Sequence, residues 1–555
     1  MAQKILSSWQ RFIGLLKLDR RDIKHVFYYA IFAGLVNLSL PLGIQAIINL
    51  IQGAQISSSW IVLVVLVTLG VAFVGALQLM QMRIIEDIQQ KIFTRSSFEF
   101  AYRFPKIKMS ELRDYYPPEL ANRFFDTLTV QKGLSKILVD VPAALLQIIF
   151  GLILLSFYHP FFIIYGFMLV LLIYVLFKFS VQKGLDTSLE ESKEKYKVVH
   201  WLQEIARSIL SFKVSGKTSL ALRKNDQLVS TYLDKREGHF KVLIQQFMKL
   251  IGFKVLVTAG LLIIGGMLVL NQQMNIGQFV AAEIVILLVI ASVEKLILGL
   301  EPFYDVLTSI EKLGQVVDKE LENQTGNLLL IDDEAMTLEL ENVTFRVHAR
   351  EEPIIKGVSL KVNSQDRILL TGRSGSGKST LLKIIAGSNE VSSGDIYANE
   401  QNLKSLQINS YRSYIGQSLP GETPFEGSIH DNLTLGFNDI SDAEIRTVLT
   451  ELGLMAFVKS QPFGLKTIIY PEGQRLSYTI SKKLVLARGI LKKPKLLILE
   501  NPLDQFDRTE AQSIIDYLTA PERPWSLIVT SQNKDWAEKC NRVITLDNGQ
   551  LLNSI

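Results

Sequence analysis

Six long apolar stretches constrain this chain more than any other feature. They lie in the first 300 of its 555 residues, at about 26–51, 60–82, 138–158, 160–179, 251–270 and 277–300. Each is close to the ~20 apolar residues that a helix needs to cross a hydrocarbon core of ~30 Å. Since an ordinary soluble domain does not bury six such helices together, the sequence predicts a polytopic α-helical membrane domain with six transmembrane helices in a lipid bilayer.

The connections between these stretches predict their orientation. The short connections 53–59, 159 and 271–276 contain no Lys or Arg, whereas the long ones, 83–137 and 180–241, contain ten and twelve. Because basic residues collect on the cytoplasmic side, we expect the long connections and both termini to be cytoplasmic. The expected location is a membrane, and for a bacterial protein the inner (plasma) membrane.

The first 25 residues and the overall composition further limit the kind of protein that this chain can be. Basic and apolar residues recur there at helical spacing, which predicts an amphipathic helix on the cytoplasmic face, with a plain solvated lead-in as the alternative. We expect no signal peptide. The single cysteine, Cys540, excludes a disulfide framework, and no Cys/His cluster has zinc-ligand spacing. A net charge of +5 is small for this length, so we expect no nucleic-acid partner.

Ionisable residues interrupt the later apolar stretches at Lys254, Glu283, Glu294 and Lys295. Charges at such positions are costly and usually face a bundle interior or a water-filled cavity, so a substrate path is one interpretation. The other is that Lys254 reaches toward the interface while Glu294 and Lys295 lie near the inner end of the sixth helix.

A different pattern begins at about residue 336. Short β-rich runs at 338–345, 367–370, 495–499, 526–529 and 542–546 alternate with helical segments such as 379–386 and 481–491. This alternation predicts an α/β domain with a largely parallel sheet. The expected layout is a membrane domain at 1–315, a linker at 316–335 and the α/β domain at 336–555.

One motif in the α/β domain points to chemistry. It follows a predicted strand, opens a helix, and reads Gly372, Arg373, Ser374, Gly375, Ser376, Gly377, Lys378, Ser379 and Thr380. This is a Gly-x4-Gly-Lys-Ser phosphate loop, whose glycines turn backbone N–H groups toward a polyphosphate at a helix N-terminus. Lys378 is expected to reach the β- and γ-phosphates, and the Ser379 hydroxyl to hold Mg²⁺.

Because this phosphate loop follows six apolar stretches in the sequence, the chain resembles a half-transporter of the ATP-binding cassette (ABC) exporters. That group includes type I protein and peptide secretion transporters. The resemblance implies an α/β P-loop nucleotide-binding domain fused to the membrane domain, ATP and Mg²⁺ as cofactors, and an exported substrate that no motif identifies. It also implies pairing with a second half, as a homodimer or a heterodimer. Each nucleotide would lie between one half's phosphate loop and the other half's signature.

Two further positions follow from the resemblance. Gln417, in Tyr-Ile-Gly-Gln, matches the family's Q-loop, whose glutamine senses Mg²⁺ or water and couples to the membrane domain. The family's adenine-stacking aromatic residue falls on Val347, which has no π-face, so stacking of ~1–3 kcal/mol would be lost. His348 or Phe345 is the alternative contact, and a further alternative is that neither residue touches the base.

The signature departs from the family's Leu-Ser-Gly-Gly-Gln. Here the segment is Leu476, Ser477, Tyr478, Thr479 and Ile480. The glycines let the backbone approach the other half's γ-phosphate, and Tyr478 and Thr479 add side chains there. The following segment 484–488 keeps the family pattern, which fixes the alignment.

The catalytic positions depart as well. Glu500 stands for the Mg²⁺-binding aspartate, Asn501 for the catalytic glutamate and Ser531 for the switch histidine, whereas Asp507 and the turn at 547–549 match. An amide cannot accept a proton from water, and a missing general base costs about 10²–10⁴-fold. Two hypotheses follow: an exporter subunit with weak or partner-supplied hydrolysis, or a degenerate pseudo-ATPase in which nucleotide is a structural or regulatory ligand. Whether the chain is an enzyme stays open.

Overall fold

The computed structural model describes residues 7–52, 58–113, 115–178, 181–329, 335–347 and 351–552. By its internal contacts the chain forms two compact units. The first comprises Met1–Ile107 and Asp114–Glu320, and the second comprises Lys108–Arg113 and Leu321–Ile555. Each unit is described by itself.

The first unit is helical. Together with the short helix α5 (Met109–Leu112), which belongs to the second unit, the helices in chain order are α1 Ser8–Leu18, α2 Arg20–Asn37, α3 Ser39–Gln52, α4 Ser58–Arg103, α6 Pro117–Asn122, α7 Asp126–Ser156, α8 Phe161–Lys178, α9 Val181–Arg207, α10 Ile209–Val214, α11 Leu220–Leu270, α12 Ile276–Leu298 and α13 Leu300–Val317.

Six helical segments in the described part of the chain are long and apolar enough to cross a membrane. They are Arg20–Gln52, Ser58–Lys106, Pro117–Ser156, Phe161–Arg207, Leu220–Leu270 and Ile276–Val317. The six predicted transmembrane helices are therefore confirmed as elements. They run well past the apolar stretches, because the basic connections continue them as helix: α11 alone has 51 residues, or ~75 Å at 1.5 Å per residue.

Several of these segments combine more than one helical element. The first breaks between α2 and α3, with Pro41 in the first turn of α3, where a missing N–H costs nothing. The sixth breaks at Gly299 between α12 and α13, yet hydrogen bonds from the Gly299 N–H to Lys295 O (2.9 Å) and from the Phe303 N–H to Gly299 O (3.1 Å) keep the chain on a helical path. Helix α13 ends at Val317, two residues beyond the membrane-domain boundary expected at 315.

The N-terminal segment forms the amphipathic helix that its sequence predicts. Helix α1 buries Phe12, whose ring meets that of Phe303 edge-on at 5.7 Å between centroids. Arg11 pairs with Asp318, and Ser8 Oγ donates to Glu311 (2.9 Å). Because α1 is packed along α13 in this way, it is not a plain solvated lead-in.

The second unit is an α/β domain. Its strands are β1 Leu338–Phe345, β2 Ile355–Val362, β3 Arg367–Thr371, β4 Ser393–Ala398, β5 Gln401–Asn402, β6 Ile415–Ser418, β7 Gly427–Ser428, β8 Ile468–Ile469, β9 Leu496–Glu500, β10 Ser526–Thr530, β11 Arg542–Asp547 and β12 Gln550–Leu552. Its remaining helices are α14 Lys378–Ile385, α15 Ile408–Ser413, α16 Ile429–Thr434, α17 Asp442–Glu451, α18 Met455–Ser460, α19 Tyr478–Leu491, α20 Arg508–Thr519 and α21 Asp535–Lys539.

The main sheet confirms the predicted parallel architecture and places the site. Its strand order is β12-β11-β3-β10-β9-β6, parallel except for the β11–β12 hairpin. Strands β9 and β10 are buried throughout and pair with Thr530 opposite Glu500. Since parallel strands end at one edge, the loops after β3, β9 and β10 meet there. A four-stranded sheet, β2-β1-β4-β5, and the pair β7-β8 complete the domain.

The predicted turn at 547–549 closes the β11–β12 hairpin. Asn548 and Gly549 both have positive φ, +48° and +81°, as a two-residue hairpin turn of type I′ requires. A Cβ on Gly549 would lie 2.3 Å from the carbonyl oxygen of Ile354, so this position needs glycine for space as well.

Candidate nucleotide site

The phosphate loop connects β3 to α14 and depends on its glycines. Gly372, Gly375 and Gly377 have φ of +141°, +81° and +106°, a region that other residues rarely adopt. A Cβ on Gly372 would lie 2.1 Å from Leu546 O, and one on Gly377 2.9 Å from Ile355 Cδ1. The sequence motif is therefore a packing requirement as well as a ligand-binding pattern.

A cavity of about 510 Å³ opens beside this loop at the carboxyl edge of the main sheet. Lys378 Nζ donates to two carbonyl oxygens of the loop, those of Gly372 (2.7 Å) and Arg373 (2.8 Å). These bonds hold the ammonium group on the cavity side of the loop. The described residues that line the cavity are Ile354, Leu370, Thr371, Gly372, Ser374, Gly375, Gly377, Lys378, Ser379, Thr380, Glu500, Asn501, Ser531 and Gln532.

Two residues of the motif do not line this cavity. The Arg373 side chain is outside the lining, and Ser376 is buried with its hydroxyl unpaired among the described residues. Ser376 instead supports the loop through its backbone, since its N–H donates to Arg373 O (3.2 Å) and its carbonyl accepts from the Gly549 N–H (3.0 Å). The hairpin turn thus braces the phosphate loop.

Ser379 and Glu500 form the part of the site that suits a cation. The Ser379 hydroxyl donates to Glu500 Oε1, whereas Oε2 has no hydrogen-bond partner among the described residues although Glu500 is only 7% exposed. A buried carboxylate oxygen without a partner is costly, and a cation removes that cost. A hydroxyl beside a carboxylate is an oxygen set that Mg²⁺ accepts, so these residues fit the metal that the sequence predicts.

Asn501 and Ser531 lie on the same cavity wall. Asn501 has φ of +46°, and its N–H donates to Thr530 O (2.8 Å). The Ser531 hydroxyl accepts from the Asn533 N–H (3.1 Å). Among the described residues that line the cavity, Glu500 is the one carboxylate, and it already faces Ser379. The cavity wall therefore offers polar contacts to a phosphate but no second carboxylate to accept a proton from water.

Asp504 is a neighbouring group that the sequence reasoning missed. Its carboxylate shares a hydrogen bond with Ser531, and burial raises its pKa above the ordinary range for an aspartate. The residue lies three positions after Asn501, in the turn that leads to α20, and only the fold brings it back to the loop after β10. A sequence signal for this contact does not exist, because the two residues are distant along the chain.

Gln417 does not reach the cavity. It lies in β6, beside β9, with its backbone opposite Ile498. Its side chain hydrogen-bonds Glu422, a second residue that the sequence reasoning missed. Burial raises the pKa of Glu422, and the N–H of Leu419 (3.2 Å) partly opposes that rise. In this arrangement Gln417 contacts the loop that follows β6 and not the Ser379–Glu500 pair.

The signature residues surround the start of α19. Ser477 caps this helix by accepting from the Ile480 N–H (3.3 Å), and its hydroxyl lies 3.1 Å from that of Thr479. Tyr478 is 47% exposed at the first helical position. None of Leu476, Ser477, Tyr478, Thr479 and Ile480 lines the described cavity of the same chain. An approaching group therefore meets the Tyr478 ring at this helix N-terminus.

The three residues considered for adenine have different positions. Phe345 is 3% exposed within the core of the α/β domain, and the Arg113 guanidinium lies 5.0 Å from its ring centroid. Its ring is closed to a base, so the Phe345 alternative is wrong. Val347 packs against the same core, and His348 lies outside the described residues. Ile354 lines the cavity and supplies its apolar wall.

The chain is similar in sequence to proteins of known family. Residues 355–504 match the family described as "ABC transporter". The chain is 27% identical over 341 residues to the alpha-hemolysin translocation ATP-binding protein HlyB of Escherichia coli O157:H7, a match that covers 60% of this chain and 48% of that protein. It is 27% identical over 221 residues to the ABC multidrug transporter MDR2 of Trichophyton rubrum, covering 39% of this chain and 17% of that one.

The matches to these curated relatives span less than half of the relatives' own lengths. The fold likeness is wider. A bacterial Atm1-family ABC exporter with ATP bound superposes with a TM-score of 0.84 over 96% of this chain and 95% of its own, at 15% identity. The six membrane-type helices, the phosphate-loop domain and these comparisons agree: the chain carries an ABC transporter nucleotide-binding domain fused to a six-helix membrane domain, in the fold of an ABC exporter.

Proposed function

We propose that this chain is the ATP-binding subunit of a membrane ABC exporter, in which nucleotide binding and weak or partner-supplied hydrolysis drive a substrate outward. The observation that carries the proposal is the cavity beside the phosphate loop. It combines the Lys378 ammonium with the Ser379–Glu500 pair and its unpaired carboxylate oxygen. A triphosphate with its cation is the ligand that complements a lysine, an exposed loop of N–H groups and a lone carboxylate oxygen.

Binding proceeds through groups already in position. With a nucleotide bound, Lys378 would exchange its bonds to the carbonyls of Gly372 and Arg373 for contacts with the β- and γ-phosphates, and the loop N–H groups would hold the phosphate chain. Ser379 and Glu500 would hold Mg²⁺, whose charge would offset that of the phosphates. Because Glu500 is one methylene longer than aspartate and Mg²⁺ demands near-octahedral geometry, we expect Mg²⁺ to bind more weakly here.

Hydrolysis is the step that the residues support least. Asn501 cannot take a proton from the attacking water, and Ser531 places no positive charge at the γ-phosphate. The absence of a general base costs about 10²–10⁴-fold in rate. The chain on its own is therefore a slow ATPase at most, and a faster cycle depends on a second half-transporter, in a homodimer or a heterodimer.

Because the long connections are basic, we expect the N-terminus and the nucleotide-binding domain to lie in the cytoplasm, and for a bacterial chain we expect the membrane to be the inner membrane. The similarity to HlyB, a protein described as a translocation ATP-binding protein, supports a relation to type I secretion transporters.

The proposal is tested by MgATP binding to the purified full-length chain in lipid nanodiscs. We expect Lys378→Ala to weaken binding at least ten-fold, because Lys378 is the one cationic side chain among the described residues that line the cavity. Lys383→Ala, on the same helix but outside the cavity, serves as the matched control and should bind as the wild type does. Equal binding by wild type and Lys378→Ala would overturn the proposal.

A second measurement separates the exporter from the pseudo-ATPase. Proteoliposomes that contain the chain with its native partner are expected to hydrolyse ATP, and this hydrolysis should be abolished by Lys378→Ala combined with alanine at the phosphate-loop lysine of the partner. Nucleotide that binds with full dependence on Lys378, while neither hydrolysis nor transport follows in any assembly, would favour the structural or regulatory ligand.

A further inference from the structure

Asp504 places a carboxylate next to the cavity, three positions after Asn501, where the resemblance implies a catalytic glutamate. It lies in the turn that connects β9 to α20, and its neighbours in that turn are held at several points. Leu503 is 4% exposed in the core of the α/β domain, the Phe506 N–H donates to Leu503 O (3.2 Å), and Gln505 has φ of +71°. Asp504 therefore has a defined position beside the loop that follows β10.

The partner of Asp504 is Ser531, which lines the cavity. The Ser531 hydroxyl donates its proton to the Asp504 carboxylate and accepts from the Asn533 N–H (3.1 Å). Because a hydroxyl oxygen has two acceptor lone pairs, one lone pair of Ser531 has no partner among the described residues. Ser531 can thus accept a hydrogen bond from a water in the cavity while it still donates to Asp504.

The surroundings of Asp504 also change its affinity for a proton. Burial raises the pKa of Asp504 above the ordinary range for an aspartate. Lys482 of α19 is the charged side chain that acts on Asp504 among the described residues, and with the Ser531 hydroxyl it opposes part of that rise. A proton acceptor works better as its pKa approaches the working pH, so Asp504 is a better acceptor than an aspartate in solvent.

We propose that Asp504 is the proton acceptor for ATP hydrolysis at this site and that it acts through the Ser531 hydroxyl. This inference rests on the proposed function, because it concerns the hydrolysis step in the same cavity. Asp504 is not among the described residues that line the cavity, so it is a positioning residue, and Ser531 is the group that meets the water. The pair replaces the direct proton transfer that Asn501 cannot perform.

The step transfers one proton from water over two hydrogen bonds. The oxygen of the attacking water forms a bond to the γ-phosphorus, while the bond from that phosphorus to the β–γ bridging oxygen breaks and its electron pair leaves with ADP. A proton of the water passes to the Ser531 oxygen as the Ser531 proton passes to Asp504. Asp504 then releases this proton to solvent, which restores the starting state.

Phosphate release by the full-length chain in nanodiscs tests the proposal. Where the native partner is a distinct half, it is included with alanine at its phosphate-loop lysine, so that only this chain's loop contributes. We expect Asp504→Asn to lower kcat about ten-fold or more without changing KM for ATP, because the proton acceptor is lost while the phosphate contacts remain. Asp504→Glu should retain most of the rate. Asp516→Asn, at an exposed position on α20 outside the cavity, should leave the rate unchanged.

Three comparisons distinguish a proton relay from a structural role. Ser531→Ala should lower kcat as much as Asp504→Asn does, and the double variant should be no slower than either single variant, because both changes break one path. The wild-type rate should fall as the pH falls through the pKa of Asp504, a dependence that Asp504→Asn should lack. In an Asn501→Glu background, Asp504→Asn should have no effect, since the new carboxylate takes the proton directly.

Infrared difference spectra provide a readout that requires no nucleotide. As the pH of the full-length chain in nanodiscs is lowered, a protonated carboxyl band should appear in the wild type that is missing from Asp504→Asn. Ser531→Ala should move the appearance of this band to higher pH, because the hydrogen bond from Ser531 stabilises the carboxylate and lowers the pKa of Asp504.

Several outcomes would overturn the inference. These are equal kcat for wild type and Asp504→Asn, a loss that persists unchanged in the Asn501→Glu background, or a wild type that hydrolyses no ATP. MgATP binding is measured in the same samples. If it still depends on Lys378, the nucleotide-binding proposal stands while the proton relay fails, so the two proposals fail distinguishably.

Discussion

At the scale of single residues, the candidate nucleotide site combines groups that suit phosphate binding with neutral side chains at the positions where the family resemblance implies a catalytic glutamate and a switch histidine. Lys378, Ser379 and Glu500 line one cavity, and the unpaired Glu500 oxygen fits a cation. Asn501 and Ser531 occupy the same wall with neutral side chains. We therefore expect Asn501 and Ser531 to limit the rate of hydrolysis more than the affinity for nucleotide.

Restoring the base should raise the rate. Asn501→Glu, combined with Ser531→His, is expected to increase MgATP hydrolysis by the full-length chain about 10²-fold or more, because a carboxylate then polarises water beside the γ-phosphate. Gln505→Glu adds the same charge four residues away outside the cavity and should change nothing. Phosphate release by the purified variants measures the effect. An unchanged rate in the double variant would instead locate the limit in the signature, at Tyr478 and Thr479.

At the scale of elements, local sequence was informative where a pattern is confined to one segment. The six apolar stretches, the phosphate loop and the turn at Asn548–Gly549 each specify their structure through composition or positive φ, and all three are present as predicted. Contacts between distant segments have no such local pattern in the sequence. The Ser379–Glu500 pair joins residues 121 positions apart, and the hydrogen bond between Asp504 and Ser531 joins the loops after β9 and β10.

A contact between distant segments, that of Glu444 in helix α17 with Lys493, gives a testable prediction. Lys493 Nζ (2.8 Å from Glu444) and the capping bonds from Ser441 lower the pKa of Glu444 to about 2, from 4.5 in an unperturbed glutamate. A lowered folded-state pKa stabilises the fold above pH 4.5, and that stabilisation is lost as the pH falls toward about 2. Glu444→Gln should therefore lower the Tm at pH 7, with a difference that shrinks as the pH falls through this window.

Thermal unfolding of the full-length chain in detergent, at several pH values, measures this difference. Glu451→Gln, at the other end of α17, removes the same charge without a cap and is the matched control. A Tm difference between wild type and Glu444→Gln that stays constant from pH 7 to the acid limit would contradict the assignment.

At the scale of the whole molecule, the altered positions bear on assembly. One chain contains the phosphate loop, Asn501 and the signature segment. In the paired arrangement that the resemblance implies, each nucleotide lies between the phosphate loop of one half and the signature of the other half. A homodimer would then contain two sites that each lack a base and a glycine signature. Pairing with an intact half would give one site without a base and one that faces Tyr478 and Thr479.

The partner identity and the stoichiometry of the assembly can be measured. Affinity purification from native membranes with a tag on this chain should yield two halves, with either twice the 62.6 kDa of one chain or a second distinct subunit. In either assembly, Tyr478→Gly with Thr479→Gly should raise hydrolysis at the site that this signature serves, because glycine lets the backbone reach the γ-phosphate. The gain should be large where the opposite loop has a glutamate at the position of Asn501 and small in a homodimer. A monomeric mass in native mass spectrometry, or a signature variant without effect beside an intact half, would contradict the two-half arrangement.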